Sequence, residues 1–204
     1  MIKFFDGDLL KSGCDIICHQ VNEYGVMEAG IAKQIKEKYP KAFDDYTNAI
    51  KEAASKCKNL PLFALSKQPD GVIVANMFTQ RNGKTDIEIL RNAAVFLSIQ
   101  IFDLFMTKVK IKETTGAFFD RPFRIGIPYK YGCGIAKGDW KSVLKVWKDV
   151  FGKLLGIDLE VWEYSPITAT YAYNLCKQIV DEYEKEENVE IQSKNKIKNI
   201  IKNY

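Results

Sequence analysis

Residues 128–138, with the sequence PYKYGCGIAKG, are the stretch that decides the fold of this chain. Residues 124–127, RIGI, precede them and are predicted to form a β-strand. Asp139 follows them and is well placed as the N-cap of a helix. The apolar face of that helix consists of Val143, Val146, Trp147 and Val150. The pattern therefore predicts a glycine-rich loop between a strand and a helix, which we call the second loop (residues 128–138).

A similar loop occurs near the start of the chain. Residues 22–30, NEYGVMEAG, follow a predicted strand at residues 16–18 and lead into a helix that begins at Gly30. We call them the first loop (residues 22–30). Small residues let a backbone approach a ligand closely, and free amides at a helix start favour anions such as phosphates. Two such loops at strand ends, without the lysine–serine pair of a P-loop, favour phosphate binding. Two tight turns without a ligand are the alternative.

The rest of the chain alternates predicted strands and helices up to residue 164. Apolar periodicity predicts helices at residues 30–39 and 40–57 and a longer helix at residues 87–105. Thr85 and Glu88 have the spacing of a capping box for that longer helix. Four further strands are predicted, at residues 2–5, 60–65, 72–77 and 159–164. Residues 112–122 are predicted to form a loop or short insertion. This rhythm indicates an α/β fold with a largely parallel or mixed sheet, in which ligands lie outside the carboxyl ends of the strands.

The composition is that of an ordinary globular protein with one main domain. The chain has 204 residues, 47% hydrophobic and 27% charged, enough for one substantial core and an extension. Its net charge of +4 comes largely from Lys194, Lys196, Lys198 and Lys202, so direct reading of a nucleic-acid duplex is not expected. We expect no membrane span and no signal peptide. The five cysteines form no paired framework, which fits reduced thiols in a cytoplasmic protein.

The sequence changes character after Tyr164. Residues 165–183 predict a final helix with apolar residues at i, i+4 spacing, and a segment rich in Glu, Lys and Asn follows. We therefore predict a domain at residues 1–164 and a C-terminal helical extension with a Lys/Asn-rich tail at residues 165–204.

Five ordered motifs within residues 1–164 resemble those of macrodomains. They are GDLL (7–10), CHQVN with GVM and GIA (18–32), ANMFTQ (75–80), IPY with GCGIA (127–136), and GDW (138–140). The resemblance is to the branch found in phage and bacterial proteins, in the antitoxin partner of DNA ADP-ribosyltransferase toxins, and in the terminal ADP-ribose protein glycohydrolase. It implies a three-layer α/β/α macrodomain with a central mixed sheet, here followed by the C-terminal helical extension.

The resemblance also implies that the chain binds ADP-ribose or an ADP-ribosylated macromolecule and needs no cofactor. Asp8, with Leu9 beside it, resembles the acidic residue that accepts a hydrogen bond from the adenine amino group. Asn22 resembles the asparagine that faces the distal ribose, and Tyr164 offers a ring that can stack on adenine. The implied phosphate and ribose contacts come from Gly25, Val26, Met27, Gly30 and Ile31 in the first loop and its helix, and from Pro128, Tyr129, Gly132, Cys133, Gly134 and Ile135 in the second loop.

The sequence departs from the related glycohydrolase where that enzyme carries its catalytic lysine and aspartate. The nearest equivalents here are Gln80 and Ala136. Glu28 stands where relatives usually have glycine, and a carboxylate there repels a diphosphate unless it points outward or acts as a general base. The outward orientation is favoured, and Asn22 and Glu28 remain as catalytic candidates.

Three functions stay open. In the first, the chain binds ADP-ribose and removes it from modified protein or nucleic acid, or dephosphorylates ADP-ribose 1''-phosphate. In the second, it is a non-catalytic reader or sponge of an ADP-ribose-type nucleotide. In the third, it is an interaction module whose tail binds an unknown protein.

The other chemically reactive side chains are assigned to packing. His19, the single histidine, is expected to be a packed and hydrogen-bonded residue rather than a proton shuttle. Cys14, Cys18 and His19 do not have the spacing of a zinc site, so no metal is expected. Cys133 is expected to be a small residue between glycines rather than a nucleophile.

Overall fold

The computed structural model describes residues 1–115 and 121–164. In chain order these residues form β1 (Ile2–Asp6), a short 3₁₀ helix (Leu9–Lys11), β2 (Ile16–Val21), α1 (Gly30–Lys38), α2 (Pro40–Ser55), β3 (Phe63–Lys67), β4 (Ile73–Phe78), β5 (Gln80–Arg81), β6 (Lys84–Thr85), α3 (Ile87–Thr115), β7 (Phe123–Pro128), α4 (Trp140–Phe151) and β8 (Ile157–Glu163).

Six of these strands form one mixed sheet in the order β1-β8-β7-β2-β4-β3. β3 runs antiparallel to β4, and the other neighbouring strands are parallel. β2 is buried at every position except Gln20, which is typical of a parallel strand covered on both faces. The mixed sheet predicted from the sequence is therefore confirmed.

Helices cover both faces of this sheet. On one face, α1 and α2 share a buried cluster with sheet and loop residues, made of Leu9, Leu10, Cys14, Ile17, Ile35, Tyr39, Ala42 and Val74. On the other face α3 and α4 pack against each other, and they contact β4 and β8 respectively. The amphipathic α4 buries both of its tryptophans, Trp140 and Trp147. These layers are the predicted α/β/α arrangement.

The order of the strands places the two loops side by side. β2 and β7 are adjacent and parallel, with Ile16 opposite Ile125. The first loop follows β2 and the second loop follows β7, so both leave the sheet at its carboxyl edge, where open α/β folds bind ligands. The second loop is followed by Asp139, whose side chain accepts the N–H of Ser142 at 2.8 Å and caps α4 as predicted.

The predicted capping box at the start of α3 is wrong. Thr85 lies in β6, and Asp86 Oδ1 instead accepts the N–H groups of Glu88 and Ile89, each at 3.0 Å. An aspartate in the N-cap position satisfies the free amides of the first turn directly, and Thr85 is then available for a different role.

The loop predicted at residues 112–122 is also wrong in part. α3 continues to Thr115, because no glycine or proline interrupts the sequence before Gly116. Residues 116–120 lie outside the described residues, and β7 begins at Phe123.

Smaller differences concern strand bounds and one hairpin. The strand predicted at residues 60–65 is β3 at Phe63–Lys67, and the strand predicted at residues 16–18 extends to Val21. The hairpin of β5 and β6 was not predicted. The predicted final helix and tail lie in residues 165–204, outside the described residues, so the division of the chain after Tyr164 stays a prediction. No helix within residues 1–115 and 121–164 is both long and apolar enough to cross a membrane.

Candidate functional site

A cavity of about 610 Å³ lies between the two loops, at the carboxyl ends of β2 and β7. Its volume falls within the range typical of small-molecule sites. The lining comes from both loops, the start of α1 and the ends of β2, β5 and β7: Gln20, Asn22, Val26, Met27, Glu28, Ala29, Gly30, Ile31, Ala32, Gln80, Pro128, Tyr129, Lys130, Tyr131, Gly132, Gly134, Ile135 and Ala136. Most residues predicted to hold a ligand therefore line one cavity.

The second loop presents free backbone amides to this cavity. Among the residues that the structure describes, the N–H groups of Gly134, Ile135 and Ala136 donate no hydrogen bond. A Cβ atom on Gly134 would have no atom within 4 Å, so a ligand can approach the backbone closely there. Lys130 and Lys137 adopt left-handed φ angles of 53° and 54°, which is strained backbone of the kind that accumulates at functional sites.

The first loop is held in shape by the side chain of Asn22. Its Nδ2 donates to Val26 O at 2.7 Å, and its Oδ1 accepts the N–H of Tyr24 at 2.8 Å. The hydroxyl of Tyr46 donates to the same Oδ1 at 2.8 Å and accepts the N–H of Val26 at 3.1 Å. An asparagine amide carries two N–H donors, so Asn22 keeps one for a ligand while it organises the loop.

The first loop leads into an uncapped helix end. Ala29 is the N-cap residue of α1 and supplies no side-chain hydrogen bond. The amides of Gly30, Ile31 and Ala32 donate no hydrogen bond to the rest of the described chain. Unpaired N–H groups and the helix dipole together make such an end an anion site.

Glu28 lies at the rim of the cavity and is neutralised by a neighbour. Lys36 Nζ lies 2.6 Å from Glu28 Oε1; the Glu28 side chain is largely exposed to solvent, and that of Lys36 is partly buried. The hydrogen bond and charge of Lys36 hold the pKa of the Glu28 carboxyl below its usual value. A carboxylate with a lowered pKa is a weaker general base, so this geometry favours the inert orientation predicted for Glu28.

Gln20, Gln80 and Tyr131 form a polar wall of the cavity, and Gln20 is not among the predicted site residues. Gln20 Nε2 donates to the hydroxyls of Thr79 at 3.0 Å and Thr85 at 3.1 Å, and Gln20 Oε1 accepts from Gln80 Nε2 at 2.9 Å. The Tyr131 hydroxyl lies 3.2 Å from Thr79 Oγ1, and its burial raises the pKa of Tyr131. The signal was available, because Gln20 and Gln80 lie in the motifs CHQVN and ANMFTQ.

Five predicted site residues are not among those that line the cavity: Asp8, Leu9, Gly25, Cys133 and Tyr164. Asp8 caps the 3₁₀ helix by accepting the N–H of Leu10 at 2.9 Å, and Leu9 belongs to the core. Tyr164 follows β8 at the carboxyl edge of the sheet and is 74% exposed. The predicted contacts of these residues with adenine stay predictions.

Gly25 and Cys133 support the loops from outside the cavity. A Cβ atom on Gly25 would lie 3.9 Å from Ile50 of α2, and the φ angle of 77° suits glycine. The thiol of Cys133 donates to Tyr131 O at 3.2 Å, and burial raises its pKa to about 11. A thiol with so high a pKa is not an activated nucleophile, in line with the packing role predicted for Cys133.

His19 is fully buried on the sheet. Its Nε2–H donates to Asn76 Oδ1 at 2.7 Å, and burial lowers its pKa to about 4. The ring is therefore neutral near pH 7, as expected for a packed histidine. Within residues 1–115 and 121–164, no group of three or more His, Cys, Asp or Glu side chains is arranged to hold a metal ion.

No protein-family model matches the chain. Over 51 residues, a quarter of its length, the chain is 43% identical to the DNA ADP-ribosyl glycohydrolases of Mycobacterium tuberculosis and Mycobacterium bovis. This match spans only 14% of the length of those relatives.

Solved structures resemble most of the chain. The macrodomain of Thermus aquaticus DarG superposes with a TM-score of 0.60 at 22% identity, covering 81% of this chain and 99% of that structure. A macrodomain protein from Streptomyces coelicolor gives 0.59 at 19% identity, covering 81% and 100%. Thermosipho africanus DarTG in complex with ADP-ribose gives 0.59 at 17% identity, covering 79% and 41%. The chain therefore has the macrodomain fold, as its five motifs predict.

Proposed function

We propose that this chain binds ADP-ribose in the cavity between its two loops. One observation carries the proposal: two sets of unpaired amides, on Gly30–Ala32 and on Gly134–Ala136, border one cavity of about 610 Å³. A diphosphate is well satisfied by backbone N–H groups at a helix start and in a loop concavity. The macrodomain fold and the ADP-ribose complex of Thermosipho africanus DarTG support the same ligand.

The remaining parts of the ligand fit what surrounds the amides. Asn22 keeps one amide N–H for the distal ribose. Tyr129 and Ile31 offer apolar surface in the lining, and Tyr164 offers an exposed ring at the same edge of the sheet. Contact of Asp8 and Tyr164 with the adenine ring is part of the proposal.

Calorimetric titration with ADP-ribose tests the proposal. Gly134→Asp places a carboxylate beside the free amides, and Gly134→Asn places a neutral group of the same shape there. We expect at least about tenfold weaker binding for the aspartate than for the asparagine, because only the aspartate repels the diphosphate. Absence of binding by the unaltered chain, or equal affinities of the two variants, would show that the diphosphate does not bind at the second loop.

A second candidate function is hydrolysis of the bond between ADP-ribose and a modified macromolecule. The 51-residue similarity to DNA ADP-ribosyl glycohydrolases favours it. Water would attack C1'' of the distal ribose, its oxygen would bond to that carbon, and the leaving group would depart with a proton. Asn22 would orient the ribose, and the loop amides would offset the diphosphate charge.

The cavity supports binding better than rapid turnover. Gln80 and Ala136 line it where the related glycohydrolase has lysine and aspartate, and Gln80 is hydrogen-bonded to Gln20. We therefore propose that the chain is a reader of ADP-ribose and that any hydrolysis by it is slow.

Hydrolysis assays on three substrates separate the two functions. They measure release of ADP-ribose from an ADP-ribosylated oligonucleotide and from a mono-ADP-ribosylated protein, and release of phosphate from ADP-ribose 1''-phosphate. Turnover that falls in Asn22→Ala while Glu28→Gln retains it would establish the hydrolase. Binding without turnover of any of the three substrates would establish the reader.

A further inference from the structure

Thr85 is hydrogen-bonded to two backbone carbonyl groups of the second loop, those of Gly132 and Ala136. Its backbone N–H donates to Ala136 O at 2.9 Å, and its hydroxyl donates to Gly132 O at 2.6 Å. The free amides of residues 134–136 lie between or beside these two attachment points. Thr85 of β6 therefore connects the β5–β6 hairpin to the part of the second loop that carries the free amides.

The side chain of the same residue packs against two glycines of the second loop, Gly132 and Gly138. Gly138 N–H donates to Gly132 O at 2.9 Å, a hydrogen bond that we call the neck of the second loop. A Cβ atom on Gly132 would lie 2.7 Å from Thr85 Oγ1, and a Cβ atom on Gly138 would lie 3.1 Å from Thr85 Cβ. A Cβ atom on Gly138 would also lie 2.8 Å from Gly132 O, so the two glycines and the Thr85 side chain are packed closely against one another.

Gln20 sets the direction of the Thr85 hydroxyl. Gln20 Nε2 donates to Thr85 Oγ1 at 3.1 Å, so the threonine oxygen acts as acceptor on that side. A hydroxyl has one hydrogen, and the short contact to Gly132 O takes it. Gln80 in turn donates to Gln20 Oε1 and fixes that carboxamide. Gln20 and Gln80, which line the cavity, thus orient the hydrogen bond from the Thr85 hydroxyl to Gly132 O.

We propose that Thr85 is the positioning residue that keeps the neck of the second loop closed and so holds the loop amides aligned for a diphosphate. Thr85 is absent from the cavity lining, so it acts through the loop and not by touching the ligand. The inference about ligand affinity rests on the proposed function, whereas the inference about the order of the loop stands without it.

Thr85→Val removes the hydroxyl and keeps a β-branched side chain of similar size, and Thr85→Ser keeps the hydroxyl. We expect Thr85→Val to weaken ADP-ribose binding by about three- to tenfold, the range of one lost hydrogen bond, and Thr85→Ser to restore most of it. Backbone ¹⁵N order parameters of residues 132–136 should fall in Thr85→Val from about 0.85 towards 0.6 and recover in Thr85→Ser. Ser98→Ala is the matched control, because it removes a hydroxyl bonded to a backbone carbonyl (Val95 O, 2.7 Å) on α3 and should change neither readout.

Equal order parameters in Thr85→Val and the unaltered chain would overturn the proposal, as would a loss of order that Thr85→Ser does not restore. If Thr85→Val does not fold, Thr85→Ala removes the same hydroxyl without added bulk and carries the same expectations. If the unaltered chain does not bind ADP-ribose, the proposed function fails, but the order parameters still decide whether Thr85 holds the neck.

Discussion

The hydroxyl of Tyr46 lies 2.8 Å from Asn22 Oδ1 and fastens the first loop to α2. The Tyr46 hydroxyl oxygen also accepts the N–H of Val26 at 3.1 Å, and the Tyr46 ring is fully buried. Asn22 and Val26 both line the cavity, so one buried hydroxyl sets the shape of that side.

We therefore expect Tyr46→Phe to lower both stability and ligand affinity. Loss of the hydroxyl leaves Val26 N–H and Asn22 Oδ1 each without one partner, at a cost of about 1–2 kcal/mol in the free energy of unfolding. Urea unfolding measures this cost, and titration with ADP-ribose should show weaker binding.

Tyr39→Phe is the matched control for that variant. The hydroxyl of Tyr39 donates to Asp70 Oδ2 at 3.0 Å, away from the first loop. Tyr39→Phe should lose stability without losing affinity for ADP-ribose. If both tyrosine variants bind the ligand equally well, the hydroxyl of Tyr46 does not organise the first loop.

The ion pair between Glu28 and Lys36 makes a second prediction. Lys36→Met removes the ion-pair partner of the Glu28 carboxylate beside the bound diphosphate, so ADP-ribose binding should weaken, most clearly at low salt. Glu28→Gln should bind ADP-ribose as tightly as the unaltered chain or more tightly. The readout is the dissociation constant at two salt concentrations.

Lys56→Met is the control for this pair. Lys56 Nζ lies 2.6 Å from Glu52 Oε1 at the far end of α2, Glu52 is as exposed as Glu28, and neither residue lines the cavity. Its removal should leave ADP-ribose binding unchanged. Weaker binding in Glu28→Gln would contradict the outward, inert assignment and would revive Glu28 as a residue that contacts the ligand or water.

The loops were predictable because their signals are local. A strand, a run of glycines and a helix cap follow one another in residues 124–139, and the capping contact of Asp139 spans three residues. The β5–β6 hairpin escaped prediction because two-residue strands carry no periodicity. Its turn does carry a sequence signal, the dipeptide Asn82-Gly83, which is typical of a tight hairpin turn. The positive φ angles of these residues, 52° and 71°, are those that such a turn requires.

The wall of the cavity was harder to predict than its loops. Gln20 lies on β2 and meets Thr79 and Thr85 only because β2 and β4 are neighbours in the sheet. Such contacts join residues about 60 positions apart, and sequence patterns report only on near neighbours. The assignment of Thr85 to a helix cap shows the consequence, because a local motif concealed a contact with Gly132.

His19 makes stability depend on pH in a definite window. Its pKa of about 4 in the folded chain lies below the ordinary value of 6.5, because burial opposes the charged form more than the hydrogen bond to Asn76 favours it. The unfolded chain therefore takes up a proton first as pH falls. The stabilising contribution is complete above pH 6.5 and is lost between 6.5 and 4, roughly 3 kcal/mol in all.

The chain has a single histidine, so its imidazole resonances report on this group without overlap. They should stay those of the neutral ring down to about pH 5 in the folded protein, and urea unfolding should show stability falling between pH 6.5 and pH 5.5. Titration of the folded protein with a midpoint near pH 6.5 would contradict the burial of His19.

Gly30 and Gly132 separate backbone strain from steric contact. Both have left-handed φ angles, 56° and 67°, but a Cβ atom on Gly30 meets nothing within 4 Å, whereas one on Gly132 lies 2.7 Å from Thr85 Oγ1 and 2.9 Å from Gln20 Nε2. Gly30→Ala should cost about 1–2 kcal/mol for conformation alone, and Gly132→Ala about 1–3 kcal/mol more for the contact. Denaturant unfolding measures both costs. Adding Thr85→Ala should recover part of the loss in Gly132→Ala and none in Gly30→Ala, because only Gly132 is fitted against the Thr85 hydroxyl. Equal losses in the free energy of unfolding for Gly30→Ala and Gly132→Ala would mean that Thr85 does not pack closely against Gly132.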